Sequence, residues 1–183
     1  MSSLRGHLLV AVPYHPDRNL AETVILVVEH LDCGAFGVVL NGARQQSDRI
    51  VGEGIVQRRF LESTTTYSGG PVAGPLMAVH TDESVAEVEL FPGGYFAVNE
   101  ETIKALREQT DQPCRVFTGY VGWEGRRLGD EVQQGLWRIV PATAEAVFSE
   151  SDDLWERLLR QAFPLELHDL LDPQHISANP SVN

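Results

Sequence analysis

The chain has 183 residues and a mass of 20.2 kDa, and its 43% hydrophobic and 22% charged residues exclude disordered, collagen-like and coiled-coil classes. A chain of this length buries roughly 70% of its unfolded surface and folds without disulfide or metal staples. Its 14 Lys and Arg stand against 26 Asp and Glu, a formal charge of −12; nucleic-acid affinity comes from basic side chains displacing counterions, and the isolated pairs Arg58-Arg59 and Arg126-Arg127 make no basic stripe that would supply it.

In chain order, His7 to Val12 is a short apolar run ended by Pro13, which predicts a buried strand and falls short of a signal-peptide core. No run approaches a transmembrane span. Two cysteines, Cys33 and Cys114, are too few for a disulfide framework, so the expectation is a cytoplasmic protein, off the membrane, with two free thiols. Thr23 to Glu29 is rich in β-branched residues and reads as a strand covered on both faces. Phe36 to Leu40 is its partner across the Asp32-Cys33-Gly34 hairpin turn. Asp48 to Leu61, with two glycines among spaced apolar residues, reads as a weak helix or an irregular excursion.

Strands are predicted again at Leu76 to Thr81, Val85 to Phe91 and Tyr95 to Val98. Asn99 then caps a helix to Glu108, since its side chain can accept the free amides while Glu100 and Glu101 oppose the positive helix end. Ile103, Leu106 and the stem of Arg107 form its inward stripe. After Pro113, Cys114 to Val121 reads as a central strand. Leu128 to Gln134 makes one or two helical turns ended by Gly135, Trp137 to Val140 a strand, and Ser151-Asp152-Asp153 starts a helix carrying Leu154, Trp155, Leu158, Leu159 and Ala162 at helical spacing until Pro164. Residues 1–172 are expected to form one domain and residues 173–183 a polar, disordered tail. Hairpin signals outnumber crossovers, which places the domain in the α+β class.

The common catalytic signatures are absent: no G-x-S-x-G, no H-E-x-x-H and no phosphate-binding G-x-x-x-x-G-K-[ST]. Three stretches remain. Glu29-His30-Leu31-Asp32-Cys33 lies at a strand exit, where His30 and Asp32 share one face; it reads as a ligand cluster or as a polar turn around a hydrogen-bonded histidine. No second histidine sits at metal-ligand spacing, so no metal is expected. Ser68-Gly69-Gly70-Pro71-Val72 offers backbone amides for an anion or a sharp corner between strands. His80 follows on an apolar run, as a hydrogen-bonded, half-buried side chain or a catalyst. In Gly119-Tyr120-Val121-Gly122-Trp123 with Glu131 and Trp137, an acid near indoles can become a general acid or base; the alternative is an acid at a solvated helix start.

Taken in order, Gly6-His7-Leu8-Leu9-Val10-Ala11-Val12-Pro13, Thr23 to His30, Gly34 to Asn41, Gly69-Gly70-Pro71-Val72 with His80, and Gly119 to Trp123 with Leu128, Glu131 and Trp137 make the chain resemble the YqgE/AlgH family of bacterial proteins, whose biochemical function is unassigned. Two positions depart from the family pattern: Gly42-Ala43 replaces a basic residue and proline, and Arg127 stands where glutamine is usual. The resemblance implies a compact single domain of bent, coiled mixed β-sheets with a few peripheral helices. Some members carry the label of transcriptional regulator, without a DNA-binding motif.

These readings converge on a domain that binds a small molecule or a protein and makes no direct contact with nucleic acid. No cofactor is expected and no catalytic residue is assigned. The candidate site gathers His30, Asn41, Gly69, Gly70, Pro71, His80 and Trp123, which mark places where an apolar run hands over to a turn, with Glu131 as a further polar tip. Two alternatives stay open: a hydrolase or transferase using Glu131 with His80 or His30, and a regulator acting through a protein partner.

Overall fold

The computed structural model describes residues 3–45, 65–109 and 111–163. The Asp48 to Leu61 excursion and the 173–183 tail lie outside them. The described strands are β1 (His7–Ala11), β2 (Val24–Leu31), β3 (Gly34–Val39), β4 (Arg44–Gln45), β5 (Thr66–Ser68), β6 (Val72–His80), β7 (Val88–Phe91), β8 (Gly94–Ala97), β9 (Cys114–Glu124) and β10 (Trp137–Pro141). The α-helices are α1 (Glu100–Glu108), α2 (Arg127–Gln133), α3 (Ala144–Val147) and α4 (Leu154–Ala162).

The strands form one curled sheet in the order β10-β1-β2-β3-β9-β6-β8-β7, with the small β4–β5 pair attached to β9. All pairings are antiparallel except β5 with β9, which is parallel, so the sheet is mixed and the fold is α+β. The long β9 joins the two halves: Val121 to Glu124 pair with β3, whereas Cys114 to Thr118 pair with β6. The curl carries β7 round to the segment before β1, where Arg5 Nη2 donates to Glu89 O at 2.7 Å.

The uninterrupted apolar runs of β1 and β2 reflect burial on both faces. Strand alternation sends Leu8, Val10, Val24 and Leu26 into the large core, which α3 and α4 complete with Val147, Leu154 and Leu158. Leu9, Ala11, Ile25 and Val27 face the other way, toward Trp123, Leu128 and Trp137. A third cluster seats Ile103 and Leu106 of α1 on Ala78 and Val116. Asn99 caps α1 as expected, its Oδ1 accepting from Glu101 N at 2.9 Å and Thr102 N at 3.3 Å.

Several boundaries move: the strand expected from Leu76 begins at Val72, and the one expected to end at Val121 runs on to Glu124. The run expected from Val85 to Phe91 splits, because the Asp82 carboxylate accepts from Ser84 N at 2.9 Å and winds Glu83–Val85 into a 3-10 turn, so that β7 begins at Val88. At α4 the acids do not cap: Asp153 accepts from the Ser151 hydroxyl instead of a helix amide, and the helix starts at Leu154.

Candidate functional site

Helix α2 is only seven residues long and has no side-chain cap at Arg126, so tertiary contacts must hold it. The chief contact is Glu131, which is buried against the sheet at 9% exposure. Its Oε2 accepts from the indole Nε1 of Trp123 at 2.8 Å and from that of Trp137 at 2.9 Å, while Oε1 accepts from Arg127 Nε at 3.0 Å. The two indoles sit edge to face with centroids 6.2 Å apart, and His15 packs on Trp137 at 4.7 Å. The expectation of a solvated acid at the helix start is thereby corrected: Glu131 is the buried acceptor for two indole donors that need partners. Both oxygens are committed, and the carboxylate ties α2 to β9 and β10.

The other side of α2 forms one wall of an open cleft of about 670 Å³, with Gly129, Asp130 and Gln133 facing His30 and Asp32 of the β2–β3 hairpin beside Arg126. The hairpin is tied to the turn after β9, where Gly125 N donates to Cys33 O at 3.0 Å. His30 Nδ1 accepts from Leu4 N at 3.0 Å, so the neutral ring carries its proton on Nε2 as a donor. His30 and Asp32 both line the cleft, but Leu31 lines it with them and Asp32 lies in the turn beyond β2, so strand alternation is not what brings them together. Among the described residues no group of three or more His, Cys, Asp or Glu can hold a metal ion. Cys33 is exposed and Cys114 partly buried, both free; burial raises the Cys114 thiol to about 11 against the opposing charge of Arg107.

The remaining sequence candidates lie elsewhere. Asn41 holds the chain at Glu22, a residue with φ 57°, by donating to Glu22 O at 2.7 Å and accepting from Val24 N at 2.9 Å. It borders a separate pocket with Arg44, Tyr67 and Arg115. Gly69-Gly70-Pro71 turns the chain from β5 into β6 against the bend of β9. A Cβ on Gly70 (φ 151°) would fall 2.3 Å from Tyr120 C, and one on Gly119 (φ 73°) 2.6 Å from Gly70 O, so this corner admits only glycine on either strand. His80 is fully buried rather than half-buried, packs on Tyr95 at 5.8 Å, and neither ring nitrogen reaches a hydrogen-bond partner among the described residues. Burial lowers its pKa, with Asp82 and Glu87 opposing.

The structure therefore joins Glu131 with Trp123 on one side of α2, sets His30 in the cleft on the other, and distributes Asn41, Gly69, Gly70, Pro71 and His80 to other places. Sequence reading noted Asp130 only as the neighbour of Glu131 in an acid pair and did not single out Gln133, and both line the cleft. It also passed over Arg115, whose signal was available: an arginine set into the apolar run of a strand read as central.

A sequence profile described as AlgH-like matches residues 8–164. A UPF0301 protein of Thermobifida fusca is 33% identical over 175 residues, covering 87% of each chain. A UPF0301 protein of Myxococcus xanthus is 32% identical over 165 residues, covering 87% of this chain and 91% of its own. The solution structure of the AlgH protein from Pseudomonas aeruginosa superposes with a TM-score of 0.68, covering 98% of this chain and 97% of its own at 22% identity. A crystal structure from Corynebacterium diphtheriae gives 0.68 at 24% identity, covering 88% of this chain and 87% of its own. At these identities the two structures speak to the fold alone.

Proposed function

The chain belongs to the AlgH-like family, and from that starting point we propose that it is a binding domain whose site is the cleft between the β2–β3 hairpin and α2. The observation that carries the reading is the division of labour on α2. Glu131 fixes one face of the helix to Trp123 and Trp137, and Gly129, Asp130 and Gln133 line the cleft from the other side. Sites work when their walls are held by packing and a supporting layer of hydrogen bonds. Here the groups that meet a ligand are the charged Asp32, Asp130 and Arg126 and the polar His30 ring, a set suited to a polar small molecule or a polar protein segment.

A hydrolase or transferase using Glu131 is less well supported, because both carboxylate oxygens are already engaged with donors and a general acid or base must reach the proton it moves. Two free thiols suit the reducing cytoplasm. With a net charge of −12, any regulatory role runs through a bound partner and not through duplex DNA.

The test is a ligand-observed NMR screen of polar small molecules and short peptides against the wild type, Asp32→Ala and Asp130→Ala. Binders of the wild type that are lost in both variants, at unchanged melting temperature, support the reading. A screen without binders, or binding indifferent to both variants, refutes it.

A further inference from the structure

A separate pocket of about 230 Å³ lies between the β4–β5 edge and the loop joining α3 to α4, with Arg115 lining it. Arg115 is only 6% exposed. Its guanidinium donates to Leu40 O at 2.5 Å and Val147 O at 2.9 Å, and its Cζ stacks 4.0 Å from the Tyr67 ring centroid. Those two carbonyls use two of its five N–H groups, and Nε reaches no partner among the described residues. The ion pairs found among the described residues are Arg44–Glu150, Arg127–Glu131 and Arg157–Glu145, so this buried cation makes no ion pair of its own there, and Glu150, the acid that acts on it through space, is held by Arg44. A charge buried without an opposite partner is costly, and tying two carbonyls together does not by itself require one.

The rest of the pocket shows what would balance it. Arg44 adds a second guanidinium, its Cζ 5.7 Å from the same Tyr67 ring, while the loop contributes the carboxylates of Glu150 and Asp152. A simple anion would meet these two acids on a protein of charge −12, and a simple cation would meet two arginines. We propose that the pocket binds a small zwitterion of the α-amino-acid class, its carboxylate on Arg115 and Arg44 and its ammonium toward Glu150 and Asp152. The volume lies below the roughly 300–1,000 Å³ of drug-sized sites and suits a ligand of that size. The Arg44–Glu150 bridge, 2.9 Å long between side chains 52% and 69% exposed, is of the exposed kind worth ~0–1 kcal/mol, so it opens readily and each partner turns to the opposite group of the ligand.

The experiment titrates the ¹⁵N-labelled full chain with the standard α-amino acids at millimolar concentration. At least one is expected to bind saturably and to move the amides of Gly42 to Arg44 and Ser149 to Asp152, apart from those of the hairpin cleft. N-acetylation and carboxyl amidation of that amino acid should each weaken binding at least about tenfold, 1.4 kcal/mol, and Arg115→Met should abolish it. Should Arg115→Met fail to fold, Arg44→Met and Asp152→Asn, at exposed positions, decide the matter by weakening binding at wild-type melting temperature. The proposal is overturned by a panel without saturable binding, by an acetylated form that binds as well as its parent, or by affinity unchanged in both exposed variants.

Discussion

Replacing Glu131 with alanine probes the structure where most depends on one side chain. The carboxylate satisfies two indole N–H groups at 2.8 and 2.9 Å, and both indoles are nearly sealed, Trp123 at 4% and Trp137 at 2% exposure. Each buried donor left without an acceptor costs about 1–3 kcal/mol. The Arg127 contact adds little, since that side chain is 67% exposed and such pairs are worth ~0–1 kcal/mol. Glu131→Ala is therefore expected to cost about 3–5 kcal/mol, out of the 5–15 kcal/mol typical of a domain. For a chain of this length that lowers Tm by roughly 6–20 °C. Glu131→Gln keeps a carbonyl acceptor but loses the charge assistance and should cost about 1–2 kcal/mol. Urea unfolding followed by tryptophan fluorescence and by circular dichroism measures Glu131→Ala, Glu131→Gln and Arg127→Ala against the wild type. A Glu131→Ala loss under about 1 kcal/mol, or an Arg127→Ala loss of equal size, would refute the assignment of Glu131 as the indole acceptor that holds α2.

Burial depresses the His80 pKa, so the unfolded chain binds a proton that the folded chain does not as pH falls below about 6.5. Stability from this source is complete above that value and declines toward the folded pKa; urea midpoints at neutral and mildly acidic pH should differ more for wild type than for His80→Leu, and equal differences would contradict it. Gly119→Ala forces a side chain onto φ 73° and to 2.6 Å from Gly70 O, whereas Gly93→Ala at φ 75° meets nothing within 4 Å. Both carry backbone strain of about 1–3 kcal/mol, and only Gly119→Ala should exceed it, so equal losses by denaturation would argue against the β9 corner. With its thiol raised to about 11, Cys114 should be alkylated far more slowly than exposed Cys33 in native protein near pH 8, as read by peptide mass spectrometry; comparable rates would count against the burial of Cys114.

The legible parts of the fold were those whose signals are local. Apolar runs from His7 and Thr23 announced β1 and β2 because both faces are buried, and Asn99 announced α1 because the cap is made within three residues. Thr66–Ser68 and Ala144–Val147 went unread, as three or four residues show no period, and β5 exists through its pairing with β9. At the site, the sequence marked Trp123, Glu131 and Trp137 as belonging together. It could not show that one carboxylate oxygen takes both indoles, which depends on how α2 lies across β9 and β10. The same limit explains His80, whose apolar neighbours suggested half burial with a hydrogen bond, whereas the curled sheet closes over it completely.

Binding at the hairpin cleft is tested most directly by mapping amide chemical shifts of the ¹⁵N-labelled chain during titration with the strongest binder from the polar screen. Saturable shifts are predicted at Leu31 and Asp32 and from Gly125 through Gln133, absent in Asp130→Ala. Shifts centred on Gly69 to Val72 or around His80, or none that saturate, would contradict the assignment of the cleft as the site.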